Sequence, residues 1–238
     1  MPAPTSARSV LERFQGGLVV SCQARPGNPL HGPGPMVAMA QAAEIGGARG
    51  LRVNGPSDVA AILEATSLPV MAINKVEHAD SPVMITPNVA SAQALLDTGA
   101  TVVALDGTNR ARPGGERLRD VVRAIHAAGA VAMGDLAEIG DLQGAVAAGI
   151  DAVGTTLSGY TGPTPPPDDP DFDLLAQLVK QSPVPVFAEG RFWTREQVVQ
   201  AYALGASFVV VGTAITNPMA ITSRFVSAME RRAAQGEG

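Results

Sequence analysis

Eight short aliphatic runs, each led in by a glycine or a proline, alternate with helical apolar stripes. Together they predict an α/β protein whose parallel strands close into a single (β/α)8 barrel, a TIM barrel, with an N-terminal helical segment ahead of the first strand. Length supports the same class: 238 residues divide into eight units of roughly 30 residues, the size of one strand-plus-helix repeat. No linker interrupts the chain, so residues 1–238 read as one barrel domain. An open doubly wound sheet is the rival architecture. It would carry a glycine-rich fingerprint after the first strand, where this chain has Gln23, Ala24, Arg25 and Pro26.

The runs follow in order as Gly17 to Cys22, Gly50 to Val53, Pro69 to Asn74, Gly99 to Leu105, Gly129 to Met133, Gly149 to Val153, Pro185 to Glu189 and Gly205 to Val211. A glycine at the head of a run supplies the left-handed residue that ends the preceding helix. A proline is tolerated at the first residue of a strand. The β-branched residues that follow suit a strand buried on both faces. Between the runs, Val59, Ile62 and Leu63 form an apolar stripe, as do Leu118, Val121, Val122 and Ile125, at the spacing of one helix face. Thr194 and Gln197 have the spacing of a capping box. A last helix is expected from about Pro218 to Arg232. Its stripe of Ile221, Phe225, Val226 and Met229 either covers the bottom of the barrel or reaches a neighbouring subunit. The proline-rich stretch Gly162 to Pro170 lies between the sixth strand and its helix and reads as a loop, a candidate lid.

Composition narrows the function classes. Apolar residues make up 46% and charged residues 16%, which excludes a disordered chain. Aromatics are only 4%, so the core is expected from Ala, Val, Ile and Leu. A net charge of −5 with no long basic stretch argues against a nucleic-acid partner or an anionic membrane surface. It leaves an anionic small molecule open, because backbone N–H groups bind phosphate without net positive charge. The single cysteine, Cys22, cannot form an intramolecular disulfide, and it reads as a small core residue in a reducing compartment. Neither a signal peptide in Met1 to Gln15 nor an apolar run of membrane-spanning length stands out, so a cytoplasmic location is expected. His31, His78 and His126 are scattered without ligand spacing, and no metal site is expected. His126 falls on a helix surface, and Trp193 precedes a helix that it would staple.

In a barrel of this class, chemistry sits at the C-terminal ends of the strands. The polar groups there are Gln23, Arg52 with Asn54, Lys75, Asp106, Asp135, Thr155 with Thr156, Glu189 and Gly212. Lys75 follows a buried run, where desolvation lowers a lysine's proton affinity and fits it to act as a base or a Schiff-base amine. The alternative is a lysine snorkelling from the rim. Glu189 is an acid/base group or half of a structural ion pair. Asp106 and Asp135 serve chemistry or cap a turn. Arg52 forks onto a substrate oxygen or onto an acid within the barrel. Gly190, Gly212 and Thr213 end strands seven and eight, where barrels bind phosphate through backbone N–H groups.

Strings running nearly end to end carry a resemblance: Gly16 to Ala24, Pro29 to His31, Met39 to Ala43, Gly50 to Asn54, Lys75 with Asp80 to Pro87, Ala104 to Thr108, Gly154 to Thr161, Ala188 to Arg191 and Val211 to Thr216. The Ser21–Ala24 string and the Gly154–Thr161 string are the specific ones. On them the chain resembles the N-acetylmannosamine-6-phosphate 2-epimerases. The resemblance implies inversion at C2 of the sugar phosphate without a cofactor, with Lys75 as base and Glu189 as the second catalytic group. Gln23, Arg52 and Asp135 would contact the sugar, with Thr155 beside them, and Gly190, Gly212 and Thr213 would hold the phosphate. It also implies a homodimer paired through the last helix. The chain departs from the family at Asn217, where an arginine usually meets the phosphate, leaving Arg191 or Arg224 to substitute. It departs again at Val76, Glu77 and His78 after the lysine. Two other functions fit the residues: a Schiff-base lyase or aldolase acting through Lys75, and a barrel that binds a phosphosugar without turning it over.

Overall fold

A computed structural model describes residues 7–162 and 167–234. The strands are β1 (Leu18–Cys22), β2 (Gly50–Asn54), β3 (Val70–Ile73), β4 (Val102–Asp106), β5 (Val131–Asp135), β6 (Ala152–Gly154), β7 (Val186–Glu189) and β8 (Phe208–Val211). Each pairs parallel with the next, and β8 pairs with β1 to close the barrel. The helices are α1 (Ala7–Phe14), α2 (Pro33–Ile45), α3 (Pro56–Ala65), α4 (Val89–Leu96), α5 (Leu118–Ala127), α6 (Leu142–Ala148), α7 (Phe172–Gln181), α8 (Arg195–Ala203), α9 (Thr213–Thr216) and α10 (Pro218–Ala234). The expected barrel is therefore the observed one, with a helix before the first strand.

Alternation along each strand separates two cores. Val103 and Leu105 of β4 join the layer between the sheet and the helices, with Leu51, Val53, Ile62, Leu95, Ile125 and Leu178. Their neighbours Val102 and Ala104 join the barrel interior, with Val19, Met71, Ile73, Val131, Met133, Phe187, Phe208 and Val210. The period of two in a strand produces both sets from one continuous aliphatic run.

The interior departs from the expected aliphatic packing. Phe187 stacks on Phe208 with ring centroids 5.2 Å apart and planes 4° from parallel. Phe14 of α1 reaches the same ring at 5.3 Å. The helix α1 thus plugs the N-terminal end of the barrel with Val10 and Phe14, both buried. Two glycines make room for these rings. A Cβ on Gly50 would lie 2.4 Å from Phe14, and one on Gly154 would lie 2.2 Å from Phe187. Gly50 is therefore a strand residue rather than the helix terminator expected of it; Gly47, at φ +89°, turns the chain after α2. Gly99, Gly129, Gly149 and Gly205 do have the positive φ expected of them.

The capping box opens α8, where Thr194 accepts from the N–H of Gln197 and Gln197 reaches back to Thr194. Cys22 is buried in β1. His126 lies on α5 and pairs with Asp151 at 2.8 Å on the surface. The apolar stripe of α10 does not cover the barrel bottom: Phe225, Val226 and Met229 are exposed. No helix among the described residues is long and apolar enough to cross a membrane.

Candidate active site

The inward alternation that builds the barrel interior continues past the strand ends. Gln23, Lys75, Asp106, Thr156, Glu189 and Gly212 follow the inward residues of their strands and line a cavity of about 870 Å³ at the C-terminal mouth. Ser21, Asn54, Arg25 and Arg110 line it too, as do Gly190 and Thr213 at the end nearest β7 and β8.

Lys75 donates from Nζ to Gln23 Oε1 at 2.7 Å, and Gln23 Nε2 donates to Ser21 Oγ at 2.8 Å. Burial holds the Lys75 ammonium down at about 8, and the nearby Arg52 cation acts in the same direction. Across the sheet, Arg52 is fully buried. Its guanidinium forks onto Asp135 at 3.0 and 2.6 Å and meets Glu189 Oε2 at 2.9 Å. Burial pushes Glu189 up to about 7, with Asp135 adding to the effect, while Arg52 and Lys75 oppose it. Burial works against the Arg52 charge, but Asp135 and Glu189 more than offset it and raise its proton affinity.

Arg52 and Asp135, expected to contact the sugar, do not line the cavity; they lie beneath it and brace Glu189. Thr155, expected as a substrate contact, is also off the wall. Its hydroxyl donates to the Glu189 carbonyl at 2.8 Å and accepts from the Glu189 N–H at 3.1 Å. The next residue, Thr156, faces the cavity instead. The signal for it was available: Ala152, Gly154 and Thr156 share one parity on the sixth strand. Arg110 and Arg25 carried no such signal, since both come from loops. Arg110 pairs with the fully buried Asp106, which Thr108 also contacts at 2.6 Å.

On the β7–β8 side, Gly190 has φ +112°, open to glycine and strained for other residues. Asn217 lines the cavity and accepts from the Ala220 N–H at 3.2 Å, capping α10. Arg191 lines it as well, with its guanidinium donating to the carbonyls of Ser158 and Asp169. Arg224 stands over the Trp193 ring, 4.3 Å from its centroid. Trp193 is therefore part of the cavity wall as well as the residue before α8. The segment after Lys75 doubles back on itself, pairing Lys75 with Ile85 and His78 with Ser81. Of the candidate lid, residues 163–166 lie outside the described residues. Among the described residues, no group of three or more His, Cys, Asp or Glu could hold a metal ion.

Fold and site together define a (β/α)8-barrel enzyme architecture with a lysine and a carboxyl group on one polar cavity. Residues 36–231 match the NanE family, described as "Putative N-acetylmannosamine-6-phosphate epimerase". The chain is 42% identical to a Clostridioides difficile protein called "Putative N-acetylmannosamine-6-phosphate 2-epimerase", over 93% of this chain and 99% of that protein. It is 43% identical to the "Bifunctional enzyme NanE/NanK" of Brucella melitensis over 94% of this chain, which spans only 43% of that longer protein. A solved structure of the N-acetylmannosamine-6-phosphate 2-epimerase from Clostridium perfringens superposes with a TM-score of 0.89 at 44% identity, covering 92% of this chain and 95% of that one. The chain belongs to the N-acetylmannosamine-6-phosphate epimerase family.

Proposed function

We infer that the protein is an epimerase of amino-sugar and sialic acid catabolism, interconverting N-acetylmannosamine 6-phosphate and N-acetylglucosamine 6-phosphate. Family membership names the substrate class. The observation that carries the chemistry is Lys75 and Glu189 on one cavity wall, with proton affinities drawn together to about 8 and about 7. Two groups so close in affinity hold one proton between them near neutrality, which suits transfer in either direction.

The C2 proton is acidic only when C1 is a carbonyl, so the ring opens first. The neutral Lys75 amine then takes the C2 proton, and the charge develops on the C1 oxygen. That oxygen needs a donor in the cavity. Arg52 is committed to Asp135 and Glu189 beneath the floor, so protonated Glu189 is the donor. Return of a proton to the opposite face of C2 completes the epimerisation with no redox change. Gln23 holds Lys75. The phosphate lies toward Gly190, Gly212 and Thr213, with Arg191 the cation on that wall and Asn217 offering a neutral side chain. The protein acts in the cytoplasm as a homodimer.

The test is proton NMR of N-acetylmannosamine 6-phosphate in D2O. Wild type should exchange C2–H for deuterium and form the second epimer, while Lys75→Ala should lose exchange by roughly 10²-fold or more. Near wild-type exchange in Lys75→Ala would overturn the assignment. A borohydride-reduced adduct on Lys75 would make it a Schiff-base amine instead.

A further inference from the structure

We propose that Thr156 is a positioning residue for Glu189, tying its carboxyl to the buried Arg52–Asp135 pair and fixing which oxygen is left for the substrate. The proposal rests on the reading of Glu189 as an acid/base group. The Thr156 hydroxyl donates to Asp135 Oδ1 at 2.6 Å and lies 3.4 Å from Glu189 Oε2. Arg52 binds the same Glu189 oxygen at 2.9 Å and the same aspartate. Both contacts engage Oε2, so Oε1 is the oxygen available to a reacting group.

A hydroxyl has one proton and two lone pairs. While Glu189 is protonated, Thr156 can accept from it and donate to Asp135. Once Glu189 is ionised, the hydroxyl can turn its proton toward it. The charged groups facing Glu189 are Arg52 from β2, Lys75 beyond β3 and Asp135 from β5. On the neighbouring walls, Ser21 and Gln23 are neutral and β8 leads into Gly212. Thr156 is the contact that can change its donor role with the proton. Its neighbour Thr155 has a different task, since it binds only the Glu189 backbone among the contacts given for its hydroxyl. Adjacent threonines thus hold one glutamate by main chain and by side chain.

Thr156→Val keeps the shape and removes the hydroxyl; Thr156→Ser restores it. Two readouts are needed on the full-length protein. The first is a 13C NMR titration of glutamate carboxyls, with the Glu189 signal assigned by its loss in Glu189→Gln. Loss of a donor to the ionised form should raise the Glu189 midpoint by about half a unit or more in Thr156→Val, and Thr156→Ser should return it toward wild type. The second is kinetics with N-acetylmannosamine 6-phosphate. Here kcat should fall roughly 10-fold or more in Thr156→Val with KM little changed, and Thr156→Ser should recover most of it. A Glu189 midpoint that stays at the wild-type value in Thr156→Val overturns the proposal, whatever the activity. So does a fall in kcat that Thr156→Ser fails to rescue. The titration reads Glu189 without turnover, so a failure of the epimerase reading would show separately, as wild type inactive on this substrate.

Discussion

At the scale of single residues, the site depends on a buried ion pair that the substrate never meets. Arg52 spans Asp135 and Glu189, and nothing in a single strand-end arginine says whether it faces a ligand or an acid across the barrel. Strand parity settles which residues point inward, and it marks Lys75, Thr156 and Glu189. It cannot say which inward groups are covered by others, which is why Arg52 and Asp135 read as sugar contacts. Arg52→Met would leave two buried carboxylates facing each other, and the expected loss is about 3–5 kcal/mol at neutral pH. Both carboxyls would then have folded-state proton affinities above their unfolded values. The variant should therefore regain stability as pH falls and they take up protons, and lose it as pH rises. Urea unfolding at pH 5 and pH 8 measures this; equal losses at both would refute it. The wild-type activity profile follows from the shared proton. It should rise through about 7 and fall through about 8, because the form holding one proton on the pair is the competent one. A flat kcat/KM between pH 6 and about 9 would contradict this. Cys22 lies outside this chemistry, its thiol pushed up to about 12 by burial. A thiol reagent should label it only as the protein unfolds.

At the scale of elements, eight strands were readable from their aliphatic runs because a strand buried on both faces leaves no room for polar interruption. The plug was not readable in the same way. Phe14 sits in a short amphipathic helix, and only closure of the barrel brings it against Phe208 and Gly50. That contact is long-range, so no local pattern in α1 announces it. It makes Gly50 a packing residue and yields a prediction. In Gly50→Ala the new methyl falls on the Phe14 ring, costing about 1–3 kcal/mol by overpacking. Pairing it with Phe14→Leu should recover part of that loss, whereas Phe14→Leu alone should destabilise. Thermal unfolding of the three variants measures the coupling. Strict additivity would show that α1 and β2 do not share this space. The α8 cap is the opposite case, a local signal read correctly from Thr194 and Gln197, and Thr194→Ala should cost only about 1 kcal/mol.

At the scale of the whole molecule, a net charge of −5 is compatible with an anionic substrate because the mouth gathers Arg25, Arg110 and Arg191 on one cavity. Composition averages over the surface and hides that local concentration. The same averaging hides α10, whose stripe was legible while its destination was not: a helical period shows a face and never says which chain covers it. Phe225 is 71% exposed and Met229 73%. Side chains of this size along one helix form the kind of apolar face that marks an interface. The proposed homodimer would bury them, and a two-fold interface counts each side chain twice. At about 1.5–3 kcal/mol for each buried side chain, replacing both in each protomer removes about 6–12 kcal/mol from the association. Sedimentation should therefore give a dimer of 24.3 kDa chains for wild type and a monomer for the Phe225→Glu, Met229→Glu variant. Far-ultraviolet circular dichroism should be unchanged, because neither side chain belongs to the buried core. A wild-type monomer at micromolar concentration, or a double variant that stays dimeric, would move the interface elsewhere or remove it.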